Sequence, residues 1–109
     1  MVSWQDFEKL DIRAGTIIHA GSFAKAKKPA YQLEIDFGDL GIKKSSAQIT
    51  TYYKPEELIG KQVIAVINFP PRQIANFISE CLVLGLYGDE NAVTLLQPER
   101  KVKNGSKVG

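Results

Sequence analysis

Residues 61–87 read KQVIAVINF (61–69), PPRQIANFIS (70–79) and ECLVLGLY (80–87). Two apolar runs rich in β-branched residues flank a segment that opens on Pro70 and Pro71. The runs are short for helices, and their Val and Ile suit a pleated, mostly buried surface, so both are read as strands. Proline donates nothing to a sheet ladder and disfavours a helical residue before it, so the first strand must stop near Phe69. The segment between them is a loop held by its own Ile74, Phe77 and Ile78. Arg72, Gln73 and Asn76 are its spare polar groups. A loop between two core strands is where binding residues tend to sit.

Alternating patterns continue on both sides. Residues 11–23, DIRAGTIIHAGSF, put Ile12, Ala14, Thr16 and Ile18 on one face of a strand and Arg13, Gly15, Ile17 and His19 on the other. Gly15 inside that strand suggests a bulge or sharp bend, as in a sheet curling into a barrel. Tyr31, Leu33, Ile35 and Phe37 alternate with polar residues in a half-buried second strand. GDLG (38–41) reads as a hairpin turn, and residues 42–49 as an unusually polar third strand. Pro55 favours the first position of a short helix ended by Gly60. Residues 92–96 form a further short strand, and the tail 97–109 holds an Asn-Gly turn. At the other end, Ser3 and Asp6 make a capping-box pattern for a short helix with Trp4, Phe7 and Leu10 on one side. Its apolar surface is too small to stand alone and must pack on the sheet or on a partner chain.

The totals set bounds on function. A chain of 109 residues is one domain, and 44% hydrophobic with 24% charged residues is ordinary for a soluble globular protein. No apolar run reaches the ~20 residues of a membrane helix, and the first residues lack the basic and apolar regions of a signal peptide, so a cytoplasmic protein is expected. Net charge is +2, too small to argue for nucleic acid by itself. Its distribution says more: Lys25, Lys27 and Lys28 share one loop, Lys43 and Lys44 are adjacent, and Arg100, Lys101, Lys103 and Lys107 load the tail. Cys81, the single cysteine, precludes an intrachain disulfide or a cysteine zinc cluster and reads as a small buried thiol. His19, the single histidine, has no G-x-S-x-G or Cys-His setting around it. Neither catalysis, a metal nor a cofactor is expected.

One strand, two paired strands, a helix and two more strands is the order of an OB-fold. This is an all-β class: a five-stranded Greek-key barrel, here with short N-terminal and inter-strand helices. That fold binds oligonucleotides or oligosaccharides on its strand 2–3 face, between the loops joining strands 1–2 and 4–5. The lysine loop and the PPRQIANF loop occupy those two places, with the polar third strand between. Lys25, Lys27, Lys28, Lys43 and Lys44 would neutralise phosphates, and Arg72 would clamp a phosphate or stack on a base. Ser45, Ser46, Gln48 and Asn68 would bond sugar or base edges, with Arg13 adding a contact from strand one. Plainer roles compete: an ordinary polar sheet face for the Ser-Ser-Ala-Gln stretch, and an Arg72–Glu80 pair that merely fixes the loop. Phe69, Ile74, Phe77 and Ile78 would equally give an unfolded peptide an apolar floor with a polar rim.

Three segments carry a resemblance: FEKLDIRAGTI (7–17), IKKSSAQIT (42–50) and VINFPPRQIANFISECLVLG (66–85). They are similar to the CsaA family, small bacterial proteins of the tRNA-binding-domain superfamily, over nearly the whole chain from Phe7 to Val108. The resemblance implies an OB-fold core and a homodimer built with help from the terminal segments, residues 1–10 and 97–109. It also implies no catalysis, tRNA bound by overall shape, and a chaperone-like role toward unfolded precursor proteins in export. Two positions depart from the family pattern. Lys103 replaces the proline of V-P-N-G, and Gln73 stands where a second basic residue is common.

Overall fold

Strict alternation in residues 31–36 builds the strand at the centre of the packing. In the computed structural model, which describes residues 1–109, β2 (Tyr31–Asp36) buries Tyr31, Leu33 and Ile35 and leaves Gln32, Glu34 and Asp36 half-exposed. It pairs antiparallel with β1 (Ile12–Ser22) on one side and β3 (Ile42–Ala47) on the other. β1 also pairs with β4 (Gln62–Val66), and β4 with the two-residue β7 (Leu82–Val83), giving the sheet order β3-β2-β1-β4-β7. This is the expected five-stranded, nearly closed barrel. The short helices α1 (Trp4–Glu8) and α2 (Pro55–Leu58) lie where the caps placed them, with Ser3 and Asp6 bonding each other's backbone N–H groups. Ile17, Leu33, Ile35, Phe37, Leu58 and Val63 are fully buried inside the barrel. Each such side chain contributes about 1.5–3 kcal/mol by leaving water.

β1 bends at a different residue from the one expected. The irregularity falls between Ile17, opposite Ile35, and His19, opposite Glu34, so Ile18 is the extra residue and is 42% exposed. Ile17, on the same face as buried Gly15, enters the core, and Ile18 does not. Gly15 sits in regular register with Val63, and its role is clearance: a Cβ there would lie 2.7 Å from both Ile35 and Phe37.

The central stretch differs more. PPRQIANFIS is irregular only at Pro70 and Pro71 and at the turn of residues 75–76. Residues β5 (Arg72–Ile74) and β6 (Phe77–Ser79) pair as a hairpin whose turn puts Ala75 at φ 53°. The run after it is broken as well. β7 stays in the barrel, whereas β8 (Gly85–Tyr87) leaves it to pair with β9 (Val93–Leu95) as a separate ribbon. β4 ends at Val66, although the N–H of Ile67 still bonds the carbonyl of Asp11 (2.8 Å), the residue opposite it in the β1 register. GDLG forms a 3-10 turn over Gly38–Leu40 between β2 and β3.

The tail closes the side of β1 that β2 leaves open. Ala14 N–H donates to Ser106 O (2.9 Å), Gly105 N–H to Ala14 O (2.7 Å) and Val108 N–H to Ile12 O (2.9 Å). Asn104 Oδ1 accepts from the Thr16 hydroxyl (2.7 Å) and the Gln62 amide (3.1 Å), which fixes the turn. Residues 102–108 are thus spent within the chain. α1 buries none of its residues, and Trp4, stacked at 5.4 Å on Phe7, remains 61% exposed.

Candidate nucleic-acid interface

The first element of the site is the loop between β1 and β2. Phe23 and Ala30 are buried at its root, where Phe23 N–H donates to Ala30 O (3.1 Å). Lys25, Lys27 and Lys28 stand exposed on the six residues between them. The second element is the β5–β6 hairpin. Phe77 reaches across to Phe23, ring centroids 5.5 Å apart at 62°, so the hairpin packs on the root of the lysine loop. Arg72 lies exposed on β5 opposite Ser79. The third element is β3, whose free edge the chain closes after β6: Glu80 N–H donates to Lys44 O (2.7 Å), and Lys44 N–H to Glu80 Oε1 (2.9 Å). Ser46 N–H donates to Ser79 Oγ (3.1 Å) one step along.

The ion pairs of the chain are Lys9–Asp6, Arg13–Asp11 and Arg100–Glu99. Lys25, Lys27, Lys28, Lys43, Lys44 and Arg72 therefore carry charge that no carboxylate in the fold neutralises. The alternative pairing of Arg72 with Glu80 does not form; Glu80 is engaged by the backbone of Lys44 instead. Uncompensated, exposed cations at two adjoining loops are what a polyanion needs.

Four expected contacts are placed differently. Ser45 is 1% exposed, and its hydroxyl donates to Cys81 O at 2.8 Å, so it closes the barrel and is not available to a ligand. Strand alternation decides this, since Ser45 lies opposite the buried Leu33. Asn68 is a clamp: its Oδ1 accepts from Asp11 N–H (2.8 Å) and its Nδ2 donates to Lys9 O (2.7 Å). Arg13 is bound to Asp11 (2.6 Å) and to Gly105 O (3.0 Å), which pins the tail. Lys43 and Lys44 do not share a face. Lys44 is opposite Glu34 on the outside, while Lys43 is opposite the buried Ile35 and half-buried. Ser46 is half-exposed and Gln48 exposed.

Among the apolar candidates, Phe69 (46%) and Ile78 (53%) are exposed, whereas Phe77 is turned to Phe23 and Ile74 is paired beside it. Phe23 and Ser79 also shape the site, and the sequence reading gave them no role; Glu80 shapes it too, but through the Lys44 backbone rather than as the expected partner of Arg72. Phe23 is a lone aromatic residue just before a lysine cluster, which was a usable signal. Ser79 and Glu80 act through an irregular junction that no periodicity encodes.

Fold and site together define a small oligonucleotide-binding barrel with a lysine-rich loop beside a hairpin that carries one arginine. The family model described as "Putative tRNA binding domain" matches residues 12–107, and the chain belongs to that family. Among solved structures, the chaperone CsaA from Bacillus anthracis superposes with a TM-score of 0.96 at 53% identity, covering 100% of this chain and 99% of that one. The CsaA chaperone protein from Picrophilus torridus gives 0.93 at 53% identity, covering 100% of both chains. The methionine–tRNA ligase of Bacteroides fragilis is 38% identical over 98% of this chain. The chain spans only 16% of that enzyme's length, so the match is to one domain of it. The family is one of binding domains rather than of catalysts. No helix is long and apolar enough to cross a membrane.

Proposed function

We propose that this domain binds tRNA in the cytoplasm without catalysis, through phosphate contacts from Lys25, Lys27, Lys28, Lys44 and Arg72, with Lys43, Ser46 and Gln48 at the margin. The observation that carries this is the seating of the unpaired lysine loop beside the Arg72 hairpin through Phe23 and Phe77. Membership of the tRNA-binding family supports the choice of polyanion. The site has little exposed aromatic surface beyond Phe69, which suits recognition of a folded RNA by shape better than stacking on single strands. The test is a fluorescence-anisotropy titration of labelled tRNA at low and physiological salt. Binding that falls steeply with salt is expected, and absence of binding at low salt refutes the reading.

The working form in this proposal is a homodimer. α1 buries nothing in its own chain, and Val2 (81%) and Trp4 (61%) are exposed around it, while the tail is already engaged on β1. The helix is therefore the terminal segment left to meet a partner. Light scattering should give twice the chain mass, and Trp4→Ala should shift it toward the monomer. A monomeric wild type would refute this.

A second reading rests on the solved chaperones and on two exposed apolar side chains, Phe69 just ahead of the Arg72 hairpin and Ile78 on it. Here the same face holds unfolded precursor segments, and apolar contact is the main force. Such binding would survive salt that removes tRNA, and its loss with tRNA binding would count against it.

A further inference from the structure

We infer that Phe77 is a positioning residue for the polyanion site: it holds the lysine loop in place through Phe23 and touches no ligand itself. This rests on the phosphate-binding reading above. The loop of residues 24–29 carries its lysines on very little internal structure. Its backbone bonds are Phe23 N–H to Ala30 O (3.1 Å) and Ala26 N–H to Phe23 O (3.3 Å), and both converge on Phe23. None of its lysines is tied to a carboxylate. What fixes the loop is thus the Phe23 side chain, 5% exposed, and the aromatic ring in contact with it is Phe77, edge-on.

Phe77 is itself well placed to act as a fixed wall. It follows the hairpin turn directly and pairs with Ile74, while β6 runs on into Ser79 and Glu80, which are bonded to β3. The hairpin is therefore braced on the barrel at one end and on the loop at the other. Three cations on a braced loop meet phosphates without first losing chain entropy, and a freed loop must lose it on binding. The effect of Phe77 should consequently pass entirely through Lys25, Lys27 and Lys28.

A double-mutant cycle tests this with the full chain. Phe77→Ala should weaken tRNA binding by about three- to tenfold, the scale of an aromatic pair. In a background lacking the loop charges (K25A/K27A/K28A), the same substitution should have no further effect. Equal losses in both backgrounds would mean that Phe77 meets the RNA directly, and would overturn the inference. Phe77→Leu, which keeps apolar cover with less risk to folding, should fall between wild type and Phe77→Ala. Amide hydrogen exchange at Phe23 and Ala26 in the free protein gives a readout without RNA. Both amides should exchange on the order of tenfold faster in Phe77→Ala while β2 amides are unchanged. Unchanged exchange at the two amides overturns the inference whatever the RNA does. Failure of wild type to bind tRNA, with exchange responding as expected, would refute the tRNA reading alone.

Discussion

The hydroxyl of Ser45 donates to the carbonyl of Cys81 at 2.8 Å, and this bond draws the third strand of the barrel against the segment that enters β7. Both residues are buried, and the Cys81 thiol points back to Lys44 O at 3.7 Å, so the junction is satisfied from both sides. The closure combines these side-chain contacts with one backbone bond, Glu80 N–H to Lys44 O (2.7 Å).

Ser45→Ala should therefore cost stability rather than binding. Removing a buried donor leaves the Cys81 carbonyl poorly satisfied, at a cost of about 1–3 kcal/mol. Ser79 Oγ, at 3.4 Å from the same oxygen, keeps the loss toward the lower end. Denaturant unfolding should show the drop, while tRNA affinity measured well below the melting point stays at the wild-type value. A selective loss of affinity would return Ser45 to the ligand face.

Cys81 supplies a pH dependence. Burial, the largest cause, pushes its thiol up to about 11, with Glu80 raising it further and Ser45 and Lys43 opposing. An unfolded cysteine titrates at about 8.5. The folded state thus keeps a proton that the unfolded state has lost. The stabilisation is complete below about pH 8.5 and is lost as pH rises through about 11. Cys81→Ala should remove that alkaline slope from a stability–pH curve, and native Cys81 should resist alkylation near pH 8 until denaturant is added.

Gly105 is tied to the tail's return. Its φ is +92°, and a Cβ would lie 2.6 Å from Phe37 O, a backbone atom that cannot swing aside. Gly105→Ala should lower stability by about 1–3 kcal/mol and free residues 102–108 from β1, seen as faster amide exchange at Ala14 and Val108. Retained protection there would contradict the assignment.

Lys103 offers a change in the opposite direction. Its N–H makes no hydrogen bond and its φ is not positive, while its carbonyl accepts from Ser106 N–H (3.0 Å) and Oγ (2.6 Å). Restoring proline by Lys103→Pro should stabilise by about 0.4–1 kcal/mol by narrowing the unfolded chain. A thermal melt decides it, and destabilisation would show that the turn depends on freedom at that bond.

Much of this was legible in the residues. Alternation in 31–37, the Ser3–Asp6 cap and Pro55 at a helix start are local signals, and the barrel's element order followed from them. Alternation could also have separated Lys43 from Lys44 and placed Ser45 inside. The other differences are tertiary. Asn68 and Arg13 look like free polar groups until the helix–strand junction and the tail arrive to use them. The β5–β6 hairpin has no Gly in its turn, so nothing in PPRQIANF announced Ala75 at positive φ. Phe23 and Phe77 meet only because two loops distant in sequence fold to the same end of the barrel.

The measurement that bears most directly on the central claim is the salt dependence of tRNA affinity for wild type and for the K25A/K27A/K28A protein. Each phosphate neutralised contributes about 0.9 to the slope of log affinity against log salt. The account requires wild type to show a steep slope and the variant a slope shallower by about 2–3, with weaker binding at every salt concentration. Identical slopes and affinities for the two proteins would show that the lysine loop is not where the polyanion sits.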